Sequence, residues 1–148
     1  MIQYGQFCPI SKAMEVLGER WSLLIVRELI LGATRFADFE RGLPTISPTM
    51  LNRRLNELHR CGIVDKVREP GHRGHRYRLT ASGSELEPVL FALGSWGMRW
   101  ARGQMSDDEL DVHQLMSEIQ RGCRPEQLPE TRRSVIHFHF IDLDAFNH

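Results

Sequence analysis

No apolar run in these 148 residues approaches the roughly 20 that a membrane-crossing helix needs. The opening stretch, Met1-Ile2-Gln3-Tyr4-Gly5-Gln6-Phe7, has neither the basic start nor the long apolar centre of a secretion signal, so the expected location is the cytoplasm. Cysteine is scarce. Cys8, Cys61 and Cys123 are odd in number and widely spaced, which excludes a disulfide framework and a zinc-ligand pattern. Ser-His-Asp patterns, phosphate loops and dinucleotide fingerprints are missing, so catalysis has no support and no cofactor is expected. His137-x-His139 has no third ligand at a convincing spacing, so no metal site is expected either. Internal repeats and low-complexity segments are also lacking.

Net charge is the last thing missing, and its absence conceals an asymmetry. Residues 1–102 carry 15 Lys and Arg against 10 Asp and Glu, whereas residues 103–148 carry 4 against 9. Within the first part, residues 47–78 hold 8 basic and 3 acidic side chains and account for the whole excess. A local basic stretch in a neutral chain points to a polyanion partner. The same division suggests a domain over 1–102 and an extension over 103–148.

Periodicity organises the first part into helices. Ile10, Ala13, Met14 and Leu17 repeat at helical spacing over 8–18, and Gly18 ends the run. Residues 21–31 are apolar on nearly every side, as befits a helix at the centre of a domain. A short helix over 35–42 carries Phe36 and Phe39. After Gly42 and Pro44, Ser47-Pro48 opens a helix with a capping residue and a proline suited to its first turn. Leu51, Leu55 and Leu58 form its inner face and Gly62 closes it. Two helices so close in sequence suggest a helix-turn-helix.

A β-hairpin follows. Residues 63–68 and 75–80 read as strands, joined by the turn chemistry of Pro70-Gly71-His72-Arg73-Gly74, with Tyr77 pointing inward. Thr80 or Ser82 then caps a helix running to about Arg102, with Leu86, Val89, Leu90, Leu93, Trp96 and Trp100 at helical spacing. The fold class is therefore mainly α with a small β-hairpin (α+β), in the order of a winged helix-turn-helix.

That order matters because an α-helix fits the major groove of B-DNA, where base edges present a full donor and acceptor code. On a helical wheel with the leucines inward, Thr49, Arg53, Asn56 and Arg60 point outward, flanked by Asn52 and Arg54. Arg suits guanine, Asn suits adenine, and Thr can meet a thymine methyl. A polar face alone is equally a solvated one. The basic hairpin beyond it, with Arg68, Arg73, Arg76 and Arg78, adds a second element suited to phosphates or the minor groove.

Several motifs in this order resemble the HxlR-type branch of the MarR-like winged-helix regulators. They are Cys8-Pro9, Gly18-Glu19-Arg20-Trp21, Arg35-Phe36-Ala37-Asp38-Phe39, Ile46-Ser47, the three leucines, Gly62-Ile63-Val64, Tyr77-Arg78-Leu79-Thr80, Gly83 and Trp96. The Gly- and His-rich hairpin tip departs from the pattern. The resemblance implies a bacterial transcriptional regulator that binds double-stranded DNA as a homodimer. Terminal helices would form the interface and two recognition helices would read an inverted repeat. The candidate DNA-binding residues are Arg35, Ser47, Thr49, Asn52, Arg53, Asn56, Arg60, Arg73 and Arg76. In similar regulators a cysteine placed like Cys8 senses oxidants or electrophiles, and in others it serves only packing. Pro9 puts Cys8 at a helix N-cap, where amide dipoles and nearby Lys12 favour the thiolate.

The extension starts with a capping-box pattern at 106–109, followed by a helix to about residue 121. Residues 134–142 read as a strand, which cannot be stable alone. This helix and strand resemble the entry to the sterol-carrier-like domain of some longer relatives, which would bind a small apolar effector ligand; the alternative is that the strand pairs with its dimer mate. The competing reading is therefore a small-molecule or protein interaction module that uses the winged helix only for assembly.

Overall fold

The computed structural model describes residues 3–71, 74–101 and 103, together with Met116, Ile119, Val135 and His137. The chain divides into two packing units, Met1–Val112 and His113–His148, and every element named below belongs to the first. In chain order these are α1 (Pro9–Leu17), α2 (Ser22–Ile30), α3 (Phe36–Gly42), α4 (Pro48–Arg60), β1 (Val64–Arg68), β2 (His75–Leu79), α5 (Ala81–Ser84) and α6 (Glu87–Trp100). The helix expected over 106–121 and the strand expected over 134–142 fall outside the described residues, apart from the four isolated positions.

The helix ends follow local chemistry. Cys8 is the extended N-cap of α1, Pro9 occupies the first turn, and the Gly18 amide closes the helix onto the Met14 carbonyl at 2.8 Å. In α4, the Ser47 hydroxyl accepts from the Met50 amide at 3.3 Å, and Pro48 supplies a preset φ where no amide is needed. Gly62 follows this helix at φ +72, a left-handed conformation that favours glycine. Before α3, the Asp38 carboxylate turns back to accept from the Thr34 and Arg35 amides at 3.0 and 2.8 Å. Trp21, which leads into α2, stands at φ +79 without being glycine. Such a conformation costs about 1–3 kcal/mol and persists only where the surroundings impose it.

Packing explains the rest. Ile25, Val26, Phe39, Leu51, Leu55 and Val64 lose all contact with solvent and form the centre of the core. Tyr77 joins them edge-on to Phe39, with ring centroids 5.8 Å apart. Strands β1 and β2 pair antiparallel, with Val64 opposite Leu79 and Arg68 opposite His75. The segment before α3 extends this hairpin, because the Tyr77 amide donates to the Thr34 carbonyl at 2.8 Å and Arg35 bridges Arg76. The hairpin is thereby fastened to the helix-turn-helix rather than hanging from α4 alone.

The single helix expected from Thr80 to about Arg102 is two helices. Thr80 does cap the first, accepting from the Gly83 amide. A tightened turn, Leu86 amide to Gly83 carbonyl, then ends it, and α6 restarts with Leu90 bonded to Leu86. Pro88 has no amide to continue the ladder, which is the physical reason for the break. Gly83 is required for another reason: a Cβ there would lie 2.2 Å from the Ile63 carbonyl oxygen. This close approach seats α5 directly on the start of the hairpin.

Candidate nucleic-acid interface

The helix-turn-helix presents α4 with two chemically distinct sides. Leu51, Leu55 and Leu58 are buried, whereas Ser47, Thr49, Asn52, Arg53 and Arg60 are exposed and Asn56 is half-buried. The expected outer row is therefore together on one accessible face. Ser47 carries out its capping role at the same time, so its hydroxyl is partly committed.

Several of these side chains are held in place. Asn56 donates weakly towards Asn52 at 3.4 Å and accepts from the Lys66 ammonium at 2.9 Å, which ties the outer face of α4 to β1. Lys66 was missed in the sequence because strand alternation gives no hint that it reaches back to α4. Arg53 donates through Nε to Glu57 at 3.0 Å. Partial burial pushes the Glu57 carboxyl up, but hydrogen bonds from Arg53 and Arg54 outweigh it and hold the group below its usual range.

Arg54 does not flank the outer face as the wheel suggested; it is buried. Its guanidinium pairs with Glu57 on the same helix and with Glu19, 2.8 Å away on the connection between α1 and α2. The buried head finds two carboxylates, one of them 35 residues distant in sequence. No wheel contains that second partner.

The hairpin brings further basic residues beside the helix-turn-helix. Glu69 binds Arg35 with one carboxylate oxygen and the Nε of Arg76 with the other, the latter at 3.1 Å. Arg35 and Arg76, separate candidates in the sequence, thus form one cluster near the turn end of the hairpin. Arg78 pairs with Asp65 at 3.3 Å across the strands. The expected Arg73, at the hairpin tip, lies outside the described residues. Desolvation, then the charges of Lys66 and Arg68, lowers the pKa of His75, favouring the neutral ring.

Cys8 is partly exposed at the start of α1, with its thiol free. The backbone amide of Ser11, then its hydroxyl and the amide of Ile10, lower its pKa, as a helix N-terminus should. Lys12, which the sequence offered as a supporting cation, instead pairs with Glu15 at 2.9 Å.

A second exposed feature is apolar. Leu86 and Leu90 anchor α6 to the core, but beyond them Phe91, Leu93, Trp96, Met98 and Trp100 are all exposed, as are Ile10 and Met14 of α1. Among the described residues, no helix is long and apolar enough to cross a membrane.

Comparison with known proteins agrees with this geometry. The HxlR-like helix-turn-helix family matches residues 16–105, from the end of α1 to beyond α6. The chain is 38% identical over 99 residues to YvaP of Bacillus subtilis, an uncharacterized HTH-type transcriptional regulator, covering 65% of this chain and 91% of that one. Among solved structures it resembles the reduced form of the transcriptional regulator YodB from B. subtilis, with a TM-score of 0.57 and 32% identity over 66% of this chain and 98% of that one. The reduced form of the redox regulator HypR gives a TM-score of 0.60 and 31% identity, covering 66% of this chain and 97% of that one.

Proposed function

The chain belongs to the HxlR-like helix-turn-helix family of transcriptional regulators, and from that premise we propose that it reads an inverted-repeat operator with α4 in the major groove. The observation that carries this reading is the exposed row Thr49, Asn52 and Arg53, with half-buried Asn56 beside it, on a helix whose opposite side is sealed into the core. Phosphate contacts position a protein on DNA and base contacts specify the sequence. Arg53 and Asn52, near the N-terminal end of α4, take the second role. Arg35, Arg76 and the tip residue Arg73 take the first, while Ser47, Asn56 and Arg60 border the groove.

An inverted repeat needs two recognition helices, and α6 supplies the means of pairing. A helix apolar on most sides belongs in an interior, yet Phe91, Trp96 and Trp100 of this one are exposed among the described residues. A homodimer joined through α1 and α6 buries these side chains and sets the two α4 helices for successive turns of one DNA face.

Cys8 connects this assembly to a signal. Its thiol, with a pKa lowered by the amides at the helix start, caps a helix assigned to the dimer contact. A hydroperoxide that oxidises the Cys8 thiolate to the sulfenic acid, being itself reduced to water or an alcohol, alters operator affinity by changing how the two copies meet. The cytoplasm is the compartment that this chemistry suits.

Fluorescence anisotropy with the protein's own upstream DNA tests the reading. Binding should be steeply salt-dependent, as counterion release requires, and tighter for the operator than for a scrambled duplex. Equal affinity for both would contradict it. Cys8→Ser should abolish any oxidant-induced change in operator affinity while leaving affinity under reducing conditions intact; an unchanged oxidant response removes Cys8 from the account.

A further inference from the structure

We propose that Glu19, which lies outside the recognition helix, is a positioning residue that sets base preference through a charged chain running Glu19, Arg54, Glu57, Arg53. This rests on the DNA-binding reading above and extends it to a residue that touches no DNA. At about 100° per residue, Glu57 falls on the wheel between Arg53 and Arg54, one turn along from both. Its two carboxylate oxygens are divided accordingly: Oε1 accepts from Arg53 Nε at 3.0 Å and Oε2 from Arg54.

The two arginines differ in freedom. The Arg53 side chain is 62% exposed, that of Arg54 only 7%. An exposed i,i+4 pair is weak and would not by itself fix a guanidinium. Glu57 becomes a firm post only because Arg54 grips its other oxygen. Arg54 is firm in turn because Glu19 holds its Nη2 at 2.8 Å, while its buried Nε has no hydrogen-bond partner among the described residues. A buried guanidinium so poorly supplied depends on both carboxylates.

Glu19 is itself held by its backbone. Its carbonyl accepts from the Ser22 amide at 3.1 Å in the turn that carries the left-handed Trp21. The strained turn thus has a use: it aims Glu19 at α4. Without the Glu19 charge, Arg54 must draw Glu57 towards itself to satisfy its own buried charge. Arg53 then loses its partner and swings freely, so its guanidinium must be ordered anew at each base contact. Contacts to phosphates are untouched, and the protein carries one negative charge fewer.

Glu19→Gln in the full chain tests this. The ratio of operator to scrambled-duplex affinity should fall about threefold to tenfold, with affinity for scrambled DNA unchanged or slightly raised. Nitrogen-15 relaxation of the Arg53 Nε–H group, measured without DNA, should change from ordered in the wild type to mobile in the variant. In an Arg53→Ala background, Glu19→Gln should have no further effect on the ratio. Should the Glu19 variant not fold, Glu57→Gln must give the same loss of preference and the same mobile Arg53. A wild type that discriminates while Glu19→Gln discriminates equally, or a loss that persists in Arg53→Ala, overturns the proposal alone. A wild type with no preference for its operator overturns the DNA-binding reading, and the proposal with it.

Discussion

Helices α2 and α6 have similar amino-acid character and opposite fates. Both are apolar on most sides, yet Ile25 and Val26 of α2 are fully buried while Phe91, Trp96 and Trp100 of α6 remain more than half exposed. Position in the chain makes the difference. α2 is surrounded by α3, α4, the hairpin and the start of α6, whereas α6 leaves the core after Leu90. Apolar composition therefore says that a helix must be covered, and only the fold says whether its own chain can do it. Large uncovered apolar surfaces mark places where something else docks.

Substitutions in either helix test this difference. The largest effect is expected from Trp96→Glu combined with Trp100→Glu. Two charges placed in the proposed dimer contact should weaken association by at least about 4 kcal/mol, given what an unpaired buried charge costs. Sedimentation velocity should show monomers with a native circular-dichroism spectrum; a persisting dimer would return α6 to solvent and leave its apolarity without a role. Next comes Ile25→Ala in α2, which leaves a cavity at the centre of the core and should cost about 2–5 kcal/mol in urea unfolding. An effect near zero would mean that the centre of the core lies elsewhere.

The smallest effect sharpens the account of the helix-turn-helix between these two helices. Burial of the Asp38 carboxyl raises its pKa, but the Thr34 and Arg35 amides and the Arg41 guanidinium outweigh this and hold it below the usual carboxylate range. A folded-state value below the unfolded one, near 3.9, means that Asp38 stabilises the fold above about pH 4. That contribution is lost as pH falls through the folded value. Asp38→Asn should flatten the acid limb by something on the order of 0.5 kcal/mol, since the group is partly exposed. Urea midpoints between pH 3 and 6 would show it, and parallel curves for the two proteins would deny Asp38 this role.

What was legible in the sequence is what local chemistry decides. Cys8-Pro9 and Ser47-Pro48 announce two helix starts, the spacing of Leu51, Leu55 and Leu58 gives the inner face of α4, and Tyr77 alternates into the core as strand periodicity requires. What was not legible depends on partners far along the chain. Arg54 is buried because Glu19 waits for it, Arg35 and Arg76 meet because Glu69 lies between them, and the hairpin gains a third segment because Thr34 accepts from Tyr77. One miss was local: Pro88 signalled the break between α5 and α6, but the long apolar repeat around it masked the signal.

Methylation protection of guanine N7 on the operator tests most directly whether the outer face of α4 reads bases. The N7 atom lies in the major groove, where Arg binds guanine. Two protected guanine clusters about one helical turn apart are expected, and both should be lost in Arg53→Ala. Bound operator with unprotected guanines, or protection that Arg53→Ala leaves intact, would contradict base reading by α4.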